Sequence, residues 1–266
     1  SELGEDKDNV VVRSDGHPTY YASDIAYHWD KFVRRGFDLV VDVWGADHHG
    51  HVSRLKTATR AVGADPEALH ILLYQLVFLK RSGEAVKLSK RAGELVTLEE
   101  LINDVGADAA KFFFLLRSPG AQMDFDLDLA VKQSAENPVF YVQYAHARTC
   151  SALRNAEEEG LTAGEPDFAV LDDPQETAVV RLIAAYPRLL EAAAQAHEPH
   201  RIAFYLYDLA AEFHSLWNKG KEAPQLRFIL KEDVKRTTTR LAFLRVIRYV
   251  LANGLRILGV RPAEEM

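Results

Sequence analysis

The chain has a single cysteine, Cys150, which excludes an internal disulfide and fits a reducing cytosol. It lacks a long hydrophobic run. The longest, Leu69 to Leu79, is broken by His70 and Gln75 and falls well short of the roughly 20 apolar residues that a membrane-spanning helix needs. Residues 1–9 carry five charges and no apolar core, so they do not read as a secretory signal. No low-complexity tract or internal repeat is present. Cations are not in excess either: the formal net charge is −7, which argues against a protein coated in basic residues but leaves room for a local patch.

What is there is the composition of a globular chain, 48% apolar and 27% charged, and 266 residues suffice for two ordinary domains. Charge is unevenly placed. Residues 157–176 hold eight Asp/Glu and no Lys or Arg, whereas Arg227 to Arg248 holds seven Lys/Arg against Glu232 and Asp233. A solvated surface accounts for either stretch, and for the second so does a polyanion.

The first 120 residues alternate strand and helix signals, as an α/β domain should. Val10-Val11-Val12 reads as a strand, Ser23 to Arg35 as a helix and Phe37 to Trp44 as a buried parallel strand ending at Gly45. His51 to Val62 is helical, and Ser82-Gly83 is a turn. Thr97-Leu98-Glu99-Glu100 is a capping box that starts another helix. Beyond about residue 127 strand signals vanish. Asn137-Pro138, Asp173-Pro174 and Glu198-Pro199 each open a helix. Apolar residues recur at helical spacing through Phe204, Leu209, Phe213 and Leu216, then through Leu241, Leu244, Ile247 and Leu251. The second half is a helix bundle.

Chemistry enters with "KLSKRAG" at Lys87. Cations grouped around a serine on a short loop suit a triphosphate attacked at its α-phosphorus, where charge builds on the departing β/γ unit. A solvated hairpin end would look similar. With its context, "KLSKRAGELVTL", the loop resembles the KMSKR signature of class I aminoacyl-tRNA synthetases, with leucine at the methionine position. The wider resemblance is to arginyl-tRNA synthetases of the bacterial type. It rests also on "PTYYASDIAYH", "DVWGADHHGHV", "SAENPVFYVQYAHAR" and the ending "GLRILGVRPAEEM", which together cover nearly the whole chain in family order.

The resemblance implies a fold and a division. Residues 1–127 would be the C-terminal part of a Rossmann-like class I α/β catalytic domain, and 128–266 an all-α anticodon-binding bundle of the DALR type. It also implies roles. Lys87, Ser89, Lys90 and Arg91 would steady pyrophosphate, and Tyr20 and Asp24 would hold the arginine side chain. Asp47 and His48 would meet arginine and the adenylate. Taken alone, Asp24 after Ser23 is as easily a first-turn charge favoured by the helix dipole. ATP with Mg2+, L-arginine and tRNA(Arg) are the implied partners, with no permanently bound cofactor, a cytoplasmic location and a monomeric full-length enzyme.

His48-His49-Gly50-His51 spells the H-x-G-H of the family's HIGH motif, yet it follows a later strand. HIGH itself would therefore precede residue 1, with Ser1 a truncation boundary, Met266 a native end and this portion inactive on its own. Asp47, His48, His49 and His51 also permit a metal reading, but no second ligand group accompanies them at a matching strand end. Asp124 to Asp128 lacks the glycine and distal glutamate of a calcium loop and reads as an acidic helix start. In the helical half the candidate base stackers are Tyr205, Tyr207, Trp217 and Tyr249, and the candidate phosphate contacts are Arg236, Arg240, Arg245 and Arg248. Core packing is the competing explanation for each aromatic. Two other functions stay open: a non-catalytic tRNA-binding paralogue, and a metal-dependent hydrolase built on Asp47–His51.

Overall fold

The computed structural model describes residues 8–86, 96–161 and 164–266. They form two compact units, one of the described residues within 8–77 and 119–123, the other of those within 78–118 and 124–266.

The smaller unit begins with an extended segment and helix α1 (Tyr20–Trp29). Thr19 caps α1 by accepting from the Ala22 amide, the ordinary solution for an unpaired first-turn N–H. Strand β1 (Val40–Gly45), helix α2 (Val52–Ala61) and strand β2 (Leu69–Tyr74) follow, and the two strands pair in parallel from Val40–Leu69 to Gly45–Tyr74. The α2 crossover joins them as parallel pairing requires. Val40, Leu55, Ala58 and Leu69 form the buried centre, with Tyr21, Ile25, Phe32, Trp44 and Ile71 packed on it. The expected strand at residues 10–12 does not form. Val12 makes one isolated bridge to Pro18, and Val10, Val11 and Val12 all remain exposed, with no neighbouring strand beside them among the described residues.

A polar cluster ties α1 to β1. Buried Asp42 accepts from His28 Nε2 at 2.8 Å and from Lys31 Nζ at 2.8 Å. Burial opposes its ionisation most, but the hydrogen bonds of His28 and Lys31 together outweigh that and hold the carboxyl below the usual range.

The larger unit begins within the hairpin of β3 (Val77–Arg81) and β4 (Glu84–Ala85), so the apolar run from Leu69 is shared between β2 and β3. Ser82 and Gly83 both take positive φ, 53° and 76°, as a tight hairpin turn of matching twist requires. Helices α3 (Leu98–Val105) and α4 (Ala107–Leu115) come next, then β5 (Met123–Asp126) beside β3, and α5 (Leu127–Val131). Thr97 and Glu100 make the reciprocal capping box read from sequence. The acidic run is divided between two tasks. Asp126 caps α5, while Asp124 pairs with Lys80 and Asp128 accepts from the Ser82 amide on the hairpin.

Four long helices complete the unit: α6 (Pro138–Glu158), α7 (Pro174–Ala196), α8 (His200–Glu222) and α9 (Val234–Ile257). The proline-led starts fall where expected, with Asn137 and Asp173 capping α6 and α7. The α9 stripe Leu241, Leu244, Ile247, Leu251 is buried. The α8 stripe runs instead through Ile202, Leu206, Leu209, Phe213 and Leu216, leaving Phe204 about half exposed. Helices α8 and α9 pack tightly at Gly254, where a Cβ would lie 2.6 Å from Leu206 Cδ2.

Candidate functional site

In the smaller unit an open cleft of about 730 Å³ lies at the C-terminal end of β1. Tyr20 and Asp24, one helical turn apart on α1, form one wall. Trp44 and Gly45 at the strand end, with His48 and His51 from the turn after it, form another. Asp24 is the one carboxylate among the lining residues, and no ion pair engages it among the described residues. A carboxylate sharing a cleft with flat rings suits a planar, multiply donating cation. Tyr20 is 86% exposed, so its ring is available to cover a ligand rather than committed to the core.

Of the four residues expected to bind substrate, three line this cleft and Asp47 does not. Its side chain folds back over the strand end instead, with Oδ1 2.5 Å from where a Cβ on Gly45 would stand, so a larger residue there would push the carboxylate aside. His48 stands 3.7 Å from Asp47 and packs near Trp44 and His51. Among the described residues no three His, Cys, Asp or Glu side chains converge as a metal site. Lys87, Ser89, Lys90 and Arg91 lie outside the described residues.

The helical unit sorts its aromatic and basic residues differently from the expectation drawn from sequence. Arg240 is fully buried and is not a phosphate contact. Its Nε donates to Glu176 and its Nη1 to the Gln225 and Arg227 carbonyls, at 2.8, 2.6 and 2.8 Å, which makes it a strut between α7, α9 and the segment after α8. Tyr205 is buried, with its hydroxyl donating to Leu182, so it is no stacking platform. Arg236 is half-buried and engaged by Asp172 and Asp233. Arg245, Arg248 and Tyr249 are exposed on α9, and the two arginines have no carboxylate partner among the described residues.

Trp217 belongs to a cluster that no sequence signal singled out. Its ring stacks on Phe228 at 5.6 Å and borders a cleft of about 400 Å³ with Tyr144, Arg148 and Ser151 of α6 and the terminal residues 264–266. The Arg148 guanidinium lies 4.4 Å from the Tyr144 ring centre and 5.1 Å from that of Trp217. The readable trace of this pair was Tyr144 and Arg148 at i,i+4, aromatic and cation on one helical face. Its third member, His214 on α8, is a helix and 66 residues away.

Comparison with known proteins matches both parts of the chain. Residues 1–113 fit the model of class I (R) tRNA synthetase catalytic domains, and residues 142–266 that of DALR anticodon-binding domains. Arginine–tRNA ligases of Syntrophotalea carbinolica and Methylobacterium sp. (strain 4-46) are 51% and 54% identical to it, over 100% and 99% of this chain. The chain belongs to the arginyl-tRNA synthetase family. It spans about half the length of those relatives, 47% and 46%. Thermus thermophilus arginyl-tRNA synthetase superposes with a TM-score of 0.75 at 25% identity, covering 97% of this chain and 51% of that one. The arginyl-tRNA synthetase match accounts for a class I α/β portion followed by a helical anticodon-binding domain. Among the described residues no helix is long and apolar enough to cross a membrane.

Proposed function

We propose that the chain is the C-terminal portion of an arginine–tRNA ligase. The observation that carries this is the cleft at the β1 end, with Asp24 as the sole carboxylate among lining residues that include Tyr20 and Trp44. In the complete enzyme the arginine carboxylate attacks the α-phosphorus of ATP, giving arginyl-adenylate and pyrophosphate. The terminal adenosine of tRNA(Arg) then takes the arginyl group through its 2′-hydroxyl. Asp24 accepts from the substrate guanidinium and Tyr20 covers it, while His48 and Asp47 stand where the adenylate is formed. ATP enters as its Mg2+ complex, and Lys87, Ser89, Lys90 and Arg91 steady the departing pyrophosphate. Residues 1–127 serve this chemistry and 128–266 read the anticodon. The full-length enzyme acts as a cytoplasmic monomer, and this portion alone has no aminoacylation activity.

Trp217, Arg245 and Arg248 are the proposed tRNA contacts of the helical unit, with Arg236 a lesser one. The test is a titration of this chain with an arginine-accepting tRNA and with the same transcript altered in its anticodon loop. Selective binding is expected, and equal binding to both would remove the anticodon-reading assignment. Changing both Arg245 and Arg248 to Ala should weaken binding to the two transcripts alike. It should also lower the slope of log K against log salt by about 2, since each arginine neutralises one phosphate.

A further inference from the structure

Tyr20, Asp24 and His28 follow one another at four-residue spacing along α1, which places them on one stripe of the helix. The first two line the cleft at the β1 end, and the third is buried. The His28 ring spans the space between Asp24 and strand β1. Its Nδ1 lies 2.8 Å from the Asp24 carbonyl, and its Nε2 lies 2.8 Å from Asp42 Oδ2. A carbonyl can only accept, and so can an ionised carboxylate, so both ring nitrogens carry protons. Buried His28 is therefore an imidazolium. Lys31 brings a second cation to the other oxygen of Asp42, from the π-helical turn (Asp30–Arg34) that continues α1. Among the described residues the other titratable group beside the ring is Tyr27, edge-on at 6.0 Å.

Packing alone does not call for this arrangement. Tyr21, Ile25 and Phe32 already lie against the apolar centre of the unit. Burying two cations and a carboxylate carries a desolvation cost that their attraction roughly offsets, so apolar side chains would hold α1 to β1 about as firmly. The C-terminal end of a helix favours a cation, which accounts for the charge on His28 but not for its two bonds. What the bonds add is direction. Through His28 and Asp42 the peptide of Asp24 is tied to the strand whose end, Trp44-Gly45, forms another wall of the cleft. A carboxylate that meets a planar fork of donors tolerates little misalignment, so the placement of that peptide matters.

We infer that His28, held as an imidazolium by Asp42, is a positioning residue that fixes the turn of α1 presenting Asp24 to a guanidinium substrate. The inference rests on the arginine-binding reading of the cleft and adds to it a support that does not itself line the cleft.

A double-mutant cycle on L-arginine binding by this chain, measured by calorimetric titration, separates positioning from general support. In His28→Gln the amide nitrogen takes the place of Nε2 and donates to Asp42, while the side-chain bond to the Asp24 carbonyl is lost. This variant should bind L-arginine roughly tenfold more weakly, the scale of one misaligned charge-assisted hydrogen bond. In an Asp24→Asn background the same change should cost less than about twofold, because the residue through which it acts is already disabled. Equal losses in the two backgrounds would show that His28 supports the unit as a whole, and would overturn the positioning role. So would a His28→Gln chain that binds L-arginine as tightly as the wild type.

Nitrogen-15 spectra of the wild type test the arrangement without ligand or variant. The His28 ring, assigned through its backbone, should show two protonated nitrogens at neutral pH. A bare nitrogen on that ring would overturn the proposal even where the variants fail to fold. A wild type that binds no L-arginine removes the arginine reading of the cleft and the inference with it, whereas binding without coupling removes the inference alone.

Discussion

Glu176→Gln is expected to destabilise the helical unit by roughly 3–5 kcal/mol, the cost of leaving a buried arginine without its counter-charge. Glu176 is 1% exposed and Arg240 fully buried, so water cannot replace the missing partner. The carboxylate also serves two elements at once. Oε1 accepts from Arg240 on α9, and Oε2 accepts from the Asp173 amide in the α7 capping box, while Asp173 itself pairs with Lys219 of α8. One substitution therefore loosens the junction of three helices. A paired change to apolar residues, Glu176→Leu with Arg240→Met, removes both charges and should cost less than Glu176→Gln alone. Urea unfolding followed by circular dichroism measures the comparison. A midpoint for Glu176→Gln equal to wild type, or a double variant that is merely the sum of the singles, would show that the pair is not coupled.

Arg240 illustrates how far the sequence could be read. Its place in a basic stretch suggested a phosphate contact, because charge in one dimension carries no information on burial. The partner that draws it inward, Glu176, stands 64 residues away and looked like one more acid in an acidic stretch. Helix starts fared better, since an N-cap is a local event: Asn137-Pro138, Asp173-Pro174 and the Thr97 box all form as written. The Val10–Val12 strand failed for the opposite reason, because a strand requires a neighbour and propensity does not supply one. Of the candidate cleft, Tyr20, Asp24 and His48 were legible through motif resemblance. The Arg148–His214 contact was not, because it joins two helices across the bundle.

In that contact Arg148 Nη1 lies 2.9 Å from Nδ1 of the buried His214 ring, and since a guanidinium can only donate, the ring is neutral. The contact also sets an expected pH dependence. An unperturbed histidine protonates near 6.5, whereas folded His214 does so at about 4. As pH falls below about 6.5 the unfolded chain takes up a proton that the folded chain refuses. Stability from this group is therefore complete above that pH, declines between about 6.5 and 4, and is level below. The loss across the window is on the order of 3 kcal/mol, set by the distance between about 6.5 in the unfolded chain and about 4 in the folded one. His146, also buried and also shifted down, adds to it with the same sign. Asp42 does not blur the reading, because its depressed value costs stability only when pH falls below about 4, and it lies in the other compact unit. Urea midpoints of the wild type and His214→Asn at several pH values between about 7 and 4 provide the measurement. Asparagine does not titrate, so the variant should show a shallower decline. Parallel curves would mean that His214 accepts its proton as readily folded as unfolded, and the neutral tautomer facing Arg148 would then be wrong.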